Sequence, residues 1–163
     1  MTPAQSKKID YYYRKYNEAV FTAGGKDPSV GGRAKEYHLA HNLKHKIAEG
    51  YNGQDALNGK INCEYKTSVF ERKNPSFRYN FERQKTLKKQ IEYAEKKIFS
   101  SQQHYLVMTR MGIISEAWCF SPEQIWQKLK PLIENRDYEH GKNKIDVNIT
   151  LGWARRNGKP VKV

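Results

Sequence analysis

Cysteine, long apolar runs and acidic charge are all scarce in this chain. The 2 cysteines among its 163 residues are Cys63 and Cys119. Each lies among apolar residues in a stretch that reads as strand. Both are therefore expected as buried thiols rather than as a disulfide or a zinc site. No apolar run is long enough to span a bilayer. The opening run Met1-Thr-Pro-Ala-Gln-Ser-Lys-Lys8 lacks the apolar core of a secretory signal. The expectation is a cytoplasmic protein without a membrane partner. Acidic residues number 17 against 30 Lys and Arg, a formal charge of +13. That excess favours a polyanionic partner and rapid, salt-dependent association. It says nothing about fold.

The length suits one domain, residues 1–163, and no internal repeat or low-complexity tract divides it. Hydrophobic content is modest at 37%, but 11 tyrosines and 3 tryptophans add surface to bury. Residues Asp10 to Phe21 read as a helix rich in aromatics, with Tyr11, Tyr12, Tyr13 and Tyr16. Residues 1–32 are expected to form an N-terminal arm, either a dimerisation segment or a contact to DNA, with simple packing as the alternative.

The most informative stretch runs from Gln54 through Asp55, Asn58-Gly59 and Glu64 to Lys66. Asn-Gly favours a two-residue hairpin loop with positive φ at both positions. Centred there, the hairpin opposes Leu57 to Lys60, Ala56 to Ile61 and Asp55 to Asn62. Opposed residues share a face and side chains repeat every second residue. Asp55, Asn62, Glu64 and Lys66 are then expected on one face, and Ile61, Cys63 and Tyr65 on the core side.

Two carboxylates beside an ammonium have a chemical meaning. Hard carboxylate oxygens suit Mg²⁺. A bound metal can activate water and offset charge at phosphorus, and a lysine can orient or deprotonate that water. The plainer reading is a surface hairpin with a cross-strand ion pair of little energetic consequence.

Asp55, the spacer, and Glu64-Tyr65-Lys66 followed by Thr67-Ser68 resemble the PD-(D/E)XK nuclease superfamily. The length and the segment Thr109-Arg-Met-Gly-Ile-Ile-Ser-Glu-Ala117 look most like the small PvuII-type type II restriction endonucleases. The resemblance covers Asp55 to Gly152. Gln54 stands where the superfamily's name has proline. The resemblance implies that Asp55 and Glu64 bind Mg²⁺, with the Tyr65 carbonyl, and that Lys66 assists the water. It implies a homodimer on double-stranded DNA, since one such site cuts one strand and a palindrome invites a two-fold dimer.

Arg33 to Glu49 reads as a helix between glycine-rich breakers, with an apolar stripe of Leu39, Ala40, Leu43 and Ile47. Glu36 falls within that stripe. An unpaired acid facing a sheet is costly, and many superfamily members place an additional acid on the helix before the hairpin. Glu36 is therefore a fourth candidate catalytic residue. Its position in the first helical turn also suits the helix dipole. His38, His41 and His45 lie on the opposite side and read as a solvated face, with metal or phosphate binding as the alternative.

Thr67 to Asn80 reads as a loop leaving the catalytic strand. It carries Arg72, Lys73, Asn74, Arg78 and Asn80, and with Arg83 and Gln84 these are the first candidates for DNA contact. Phe81 to Ile98 reads as a helix with the stripe Leu87, Ile91, Ala94 and Ile98 and a lysine-rich exterior. His104–Arg110 and Ile113–Phe120 read as paired strands. Ser121-Pro122-Glu-Gln124 is a helix start, with a break expected before Pro131. Ile145–Leu151 reads as a strand. Arg155 and Arg156 lie in a basic tail that either contacts DNA or is partly disordered.

These elements predict an α/β fold: a single domain with a mixed central sheet flanked by helices, a restriction-endonuclease-like core. The expected function is Mg²⁺-dependent cleavage of double-stranded DNA at a short site, leaving 5′-phosphates. A junction-resolving or homing nuclease shares the same hairpin and charge, and a non-catalytic DNA-binding domain is the alternative of another class.

Overall fold

Residues 104–109 are buried at every position, whichever way each side chain points. A strand so covered lies between two layers. In the computed structural model, which describes residues 2–22, 33–48, 54–110, 113–136 and 143–163, this is β5 (Gln103–Arg110). It runs parallel to β3 (Ile61–Val69) and antiparallel to β6 (Ile113–Phe120). Short strands β1 (Lys46–Ile47), β2 (Ala56–Asn58) and β8 (Lys159–Pro160) complete a six-stranded mixed sheet in the order β1-β2-β3-β5-β6-β8. The α/β fold with a mixed central sheet is as expected.

Helix α2 (Arg33–Leu43) covers one face: Leu39, Ala40 and Leu43 pack with Cys63, Tyr65, Tyr105 and Val107. The opposite face meets a second, two-stranded sheet made by β4 (Ser76–Glu82) and β7 (Lys144–Thr150). Helices α3 (Leu87–Phe99) and α4 (Pro122–Glu134) join that layer, so Phe77, Phe81, Ile98, Leu106, Met108, Leu129, Val147 and Ile149 share one core. Helix α1 (Pro3–Thr22) exposes Tyr11, Tyr12 and Tyr13 by more than half. The glycine-rich segment between α1 and α2 lies outside the described residues.

Several elements differ from the sequence reading. The stretch expected to be loop up to Asn80 and helix from Phe81 contains β4. Phe77, Tyr79 and Phe81 are buried and alternate with exposed Arg78, Asn80 and Glu82, a half-buried strand pattern. The helix begins only at Leu87, where Thr86 caps it by accepting the Lys89 N–H. β7, expected in the main sheet, pairs with β4 instead.

The helix expected to reach Glu49 stops at Leu43. Lys44 adopts φ 57°, and the Lys44 and His45 amides bond back to the His41 and Ala40 carbonyls at 3.2 and 2.8 Å. That pair of bonds is a Schellman termination. Ile47 consequently lies on β1, and Glu49 is outside the described residues.

At the other end, α4 starts with the expected capping box at Ser121 and Gln124 but passes through Pro131. Leu129 and Ile133 are both fully buried on either side of it, which offsets one missing backbone bond. The basic tail is ordered: Thr150 caps α5 (Leu151–Asn157), and Ala154 is buried. Gly158 allows α5 to approach β6, for a Cβ there would stand 2.5 Å from Phe120 and 2.6 Å from Trp118.

Candidate active site

The hairpin forms, but two residues out of the expected register. Ala56 opposes Cys63, Leu57 opposes Asn62 and Asn58 opposes Ile61. Gly59 has φ 63°, whereas Asn58 and Lys60 are not in the left-handed region. A loop with positive φ at its first residue, a glycine, follows the type II′ sign pattern rather than type I′. A two-residue slip leaves every side chain on its original face, because the strand period is two. Cys63 and Tyr65 accordingly pack under α2, while Glu64 and Lys66 turn to the other face.

Asp55 sits just before β2. Its N–H donates to the Cys63 carbonyl at 2.9 Å, and its Oδ2 accepts the Tyr65 N–H at 2.6 Å. The Lys66 ammonium donates to the Glu64 carboxylate. Burial, then the charge of Glu64, pushes the Asp55 carboxyl up to about 7, against the opposing pull of the Tyr65 amide and Lys66. Asp55, Glu64 and Lys66 therefore converge, as the period-two argument requires. Glu36 is half-buried, and its charge adds a smaller upward push on Asp55. Both oxygens and charges thus concentrate in one place, where a second anion is disfavoured unless a cation joins it. Among the described residues, no group of three or more His, Cys, Asp or Glu is spaced to hold a metal ion.

Sequence reasoning missed two further groups beside the cluster. Tyr79 projects from β4 so that the Lys66 Nζ stands 5.4 Å from its ring centroid. His104, the register partner of Glu64 on β5, is 1% exposed. Its Nδ1 lies 3.4 Å from the Tyr79 hydroxyl and its Nε2 2.9 Å from the Ile98 carbonyl. The alternation of Phe77, Tyr79 and Phe81 was the available signal for Tyr79. His104 carried none, since one histidine in an apolar run reads as core.

The histidines of the α2 region do not form one face. His45 follows the helix, and its Nδ1 lies 2.8 Å from the Tyr65 hydroxyl. Burial lowers its pKa. His41 is exposed and His38 half-buried.

The candidate DNA contacts fall into three groups. Arg72, Lys73 and Asn74 are exposed in the turn between β3 and β4. Arg78 and Asn80 are exposed on β4, where Asn80 donates to Asp146 at 2.5 Å and Arg78 stands 3.7 Å from it. Arg83 and Gln84 are half-buried, and the Gln84 backbone N–H donates to the Gln90 side-chain oxygen at 2.8 Å. Arg155 is engaged within the protein: it forks onto Glu116 at 3.0 and 2.6 Å and lies over the Phe70 ring at 5.9 Å. Arg156 is exposed. No protein-family model matches this chain, and no curated protein matches it either.

Proposed function

We propose that this protein is a Mg²⁺-dependent endonuclease of the PD-(D/E)XK kind, acting as a homodimer on double-stranded DNA at a short specific site. The observation that carries the reading is the meeting of Asp55 with Glu64 and Lys66, at a point where the Asp55 anion is disfavoured by burial and by Glu64. This donor set fits a hard divalent cation: two carboxylates supply oxygen ligands, and neutralising their repulsion favours the ionised pair. The Tyr65 N–H points to Asp55, and in an extended strand the carbonyl of a residue shares the side of its N–H, so the Tyr65 carbonyl suits the third ligand. Mg²⁺ held there would lower the pKa of bound water and offset charge on the phosphoryl oxygens.

The chain's own groups do the rest. Lys66, bonded to Glu64 as an ammonium, orients the attacking water and stabilises negative charge on the phosphate. The 3′ oxygen leaves and the 5′-phosphate remains on the product. Glu36 adds negative charge that acts on Asp55. Exposed basic side chains hold the duplex by its phosphates, in keeping with the +13 charge. The outward face of the β4–β7 ribbon presents Arg78, Asn80 and Asn148, groups suited to guanine and adenine edges, and a two-stranded ribbon fits a major groove.

The test is incubation of the purified protein with a varied duplex library and Mg²⁺, followed by sequencing of the ends. Cut ends at a recurring short site with 5′-phosphates are expected. Binding without cutting in any divalent metal would sink the enzyme reading in favour of a DNA-binding domain. Cutting confined to branched junctions or to one long site would replace the restriction role.

A further inference from the structure

The inner face of the β4–β7 ribbon is apolar except at one position. Phe77, Phe81, Ile145, Val147 and Ile149 are buried there, and so is Tyr79. A hydroxyl in such a layer is costly unless bonded. Its partner is the Nδ1 of His104, itself a buried polar group in an apolar strand. The two bonds of His104 settle its tautomer. Nε2 must carry the proton to donate to the Ile98 carbonyl, so Nδ1 accepts and the Tyr79 hydroxyl donates. The same side chain sets its ring beside the Lys66 ammonium. A phenylalanine at 79 and an aliphatic residue at 104 would fill the same core without two polar groups to satisfy.

We propose that Tyr79 is a positioning residue for Lys66, its ring holding the ammonium. Lys66 is then held from two sides: by the Glu64 carboxylate and by the negative face of an aromatic ring. A long, flexible lysine side chain otherwise samples many rotamers. Confining it places one donor at the point where water and phosphate meet. The inference rests on the proposed role of Lys66 in cleavage.

The experiment has an arm that needs no activity. In NMR spectra of the wild-type protein, Lys66 ε-methylene protons should show through-space contacts to the Tyr79 ring, and their shift should move in Tyr79→Leu. Absence of those contacts in the folded wild type overturns the proposal, whether or not any variant folds.

The second arm is single-turnover cleavage with Mg²⁺. Tyr79→Leu should lower the rate about tenfold or more with duplex affinity unchanged, and Tyr79→Phe, which keeps the ring, should recover most of that loss. In a Lys66→Met background, Tyr79→Leu should lose nothing further, because both changes remove one function. Additive losses in the double variant, or equal losses in the Phe and Leu variants, would show that the ring does not act through Lys66. If the wild type cuts no DNA in any metal, the nuclease reading fails, and the NMR arm still decides the contact between Tyr79 and Lys66.

Discussion

Asp55 is tied to the main chain midway between Glu64 and Lys66: its Oδ2 accepts the Tyr65 N–H at 2.6 Å. That bond brings the start of β2 against the middle of β3, beside Glu64 and Lys66. It favours the ionised carboxylate, yet burial and Glu64 outweigh it.

Removing either carboxylate should abolish metal-dependent cutting. Asp55→Ala and Glu64→Ala are each expected to lower single-turnover cleavage by at least about a hundredfold while the circular dichroism spectrum stays native. Full activity in chelator, or in either variant, would exclude the mechanism.

Stability without metal should fall as pH rises. The Asp55 carboxyl moves from its ordinary 3.8 to about 7 on folding, so the folded chain holds an extra proton between those values. The favourable contribution is complete below the unfolded pKa and is lost as pH climbs through the folded one. Asp55→Asn should remove this dependence and make the metal-free protein more stable at pH 8, by on the order of 1–3 kcal/mol. Thermal unfolding at several pH values reads it directly; an Asn variant with an unchanged pH slope would contradict the assignment.

Glu36 is close enough for its charge to act on Asp55, which distinguishes it from an ordinary first-turn acid. Glu36→Gln is expected to slow cleavage more than it lowers the unfolding midpoint. If cleavage is untouched and only stability changes, the helix-dipole role is the better account.

DNA should be held and read by different surfaces. Lys89 or Lys96 on α3, both exposed, changed to alanine should weaken binding to all sequences alike and reduce the salt slope by about 1. Arg78→Ala or Asn80→Ala on the ribbon should relax discrimination at one base pair, a loss of roughly 1–3 kcal/mol. Cutting of a cognate site and its single-base variants separates the two effects. Equal losses on all sites from every ribbon variant would move base reading to the Arg72–Asn74 turn or to Arg156.

How far the sequence reading reached depends on how local each signal was. The Ser121 capping box formed as read, because its partners lie within four residues. The faces of the hairpin were legible even though its register was not: Gly59 alone took positive φ, and the resulting slip was even. The end of α2 was hidden because lysine is not a usual residue for the left-handed position that Lys44 occupies. β4 went unrecognised because its exposed half, Arg78, Asn80 and Glu82, reads as polar loop, and its partner strand lies far along the chain.

Short-range chemistry in the sequence determined the charge, the Ser121 helix cap and the sharing of one face by Glu64 and Lys66. Tertiary structure alone decided what covers that face. Asn80 meets Asp146 across 66 positions, and the same pairing of β4 with β7 sets Tyr79 beside Lys66 and His104. Such contacts leave no periodic trace, since they arise from packing two sheets into one core rather than from the preference of any single segment.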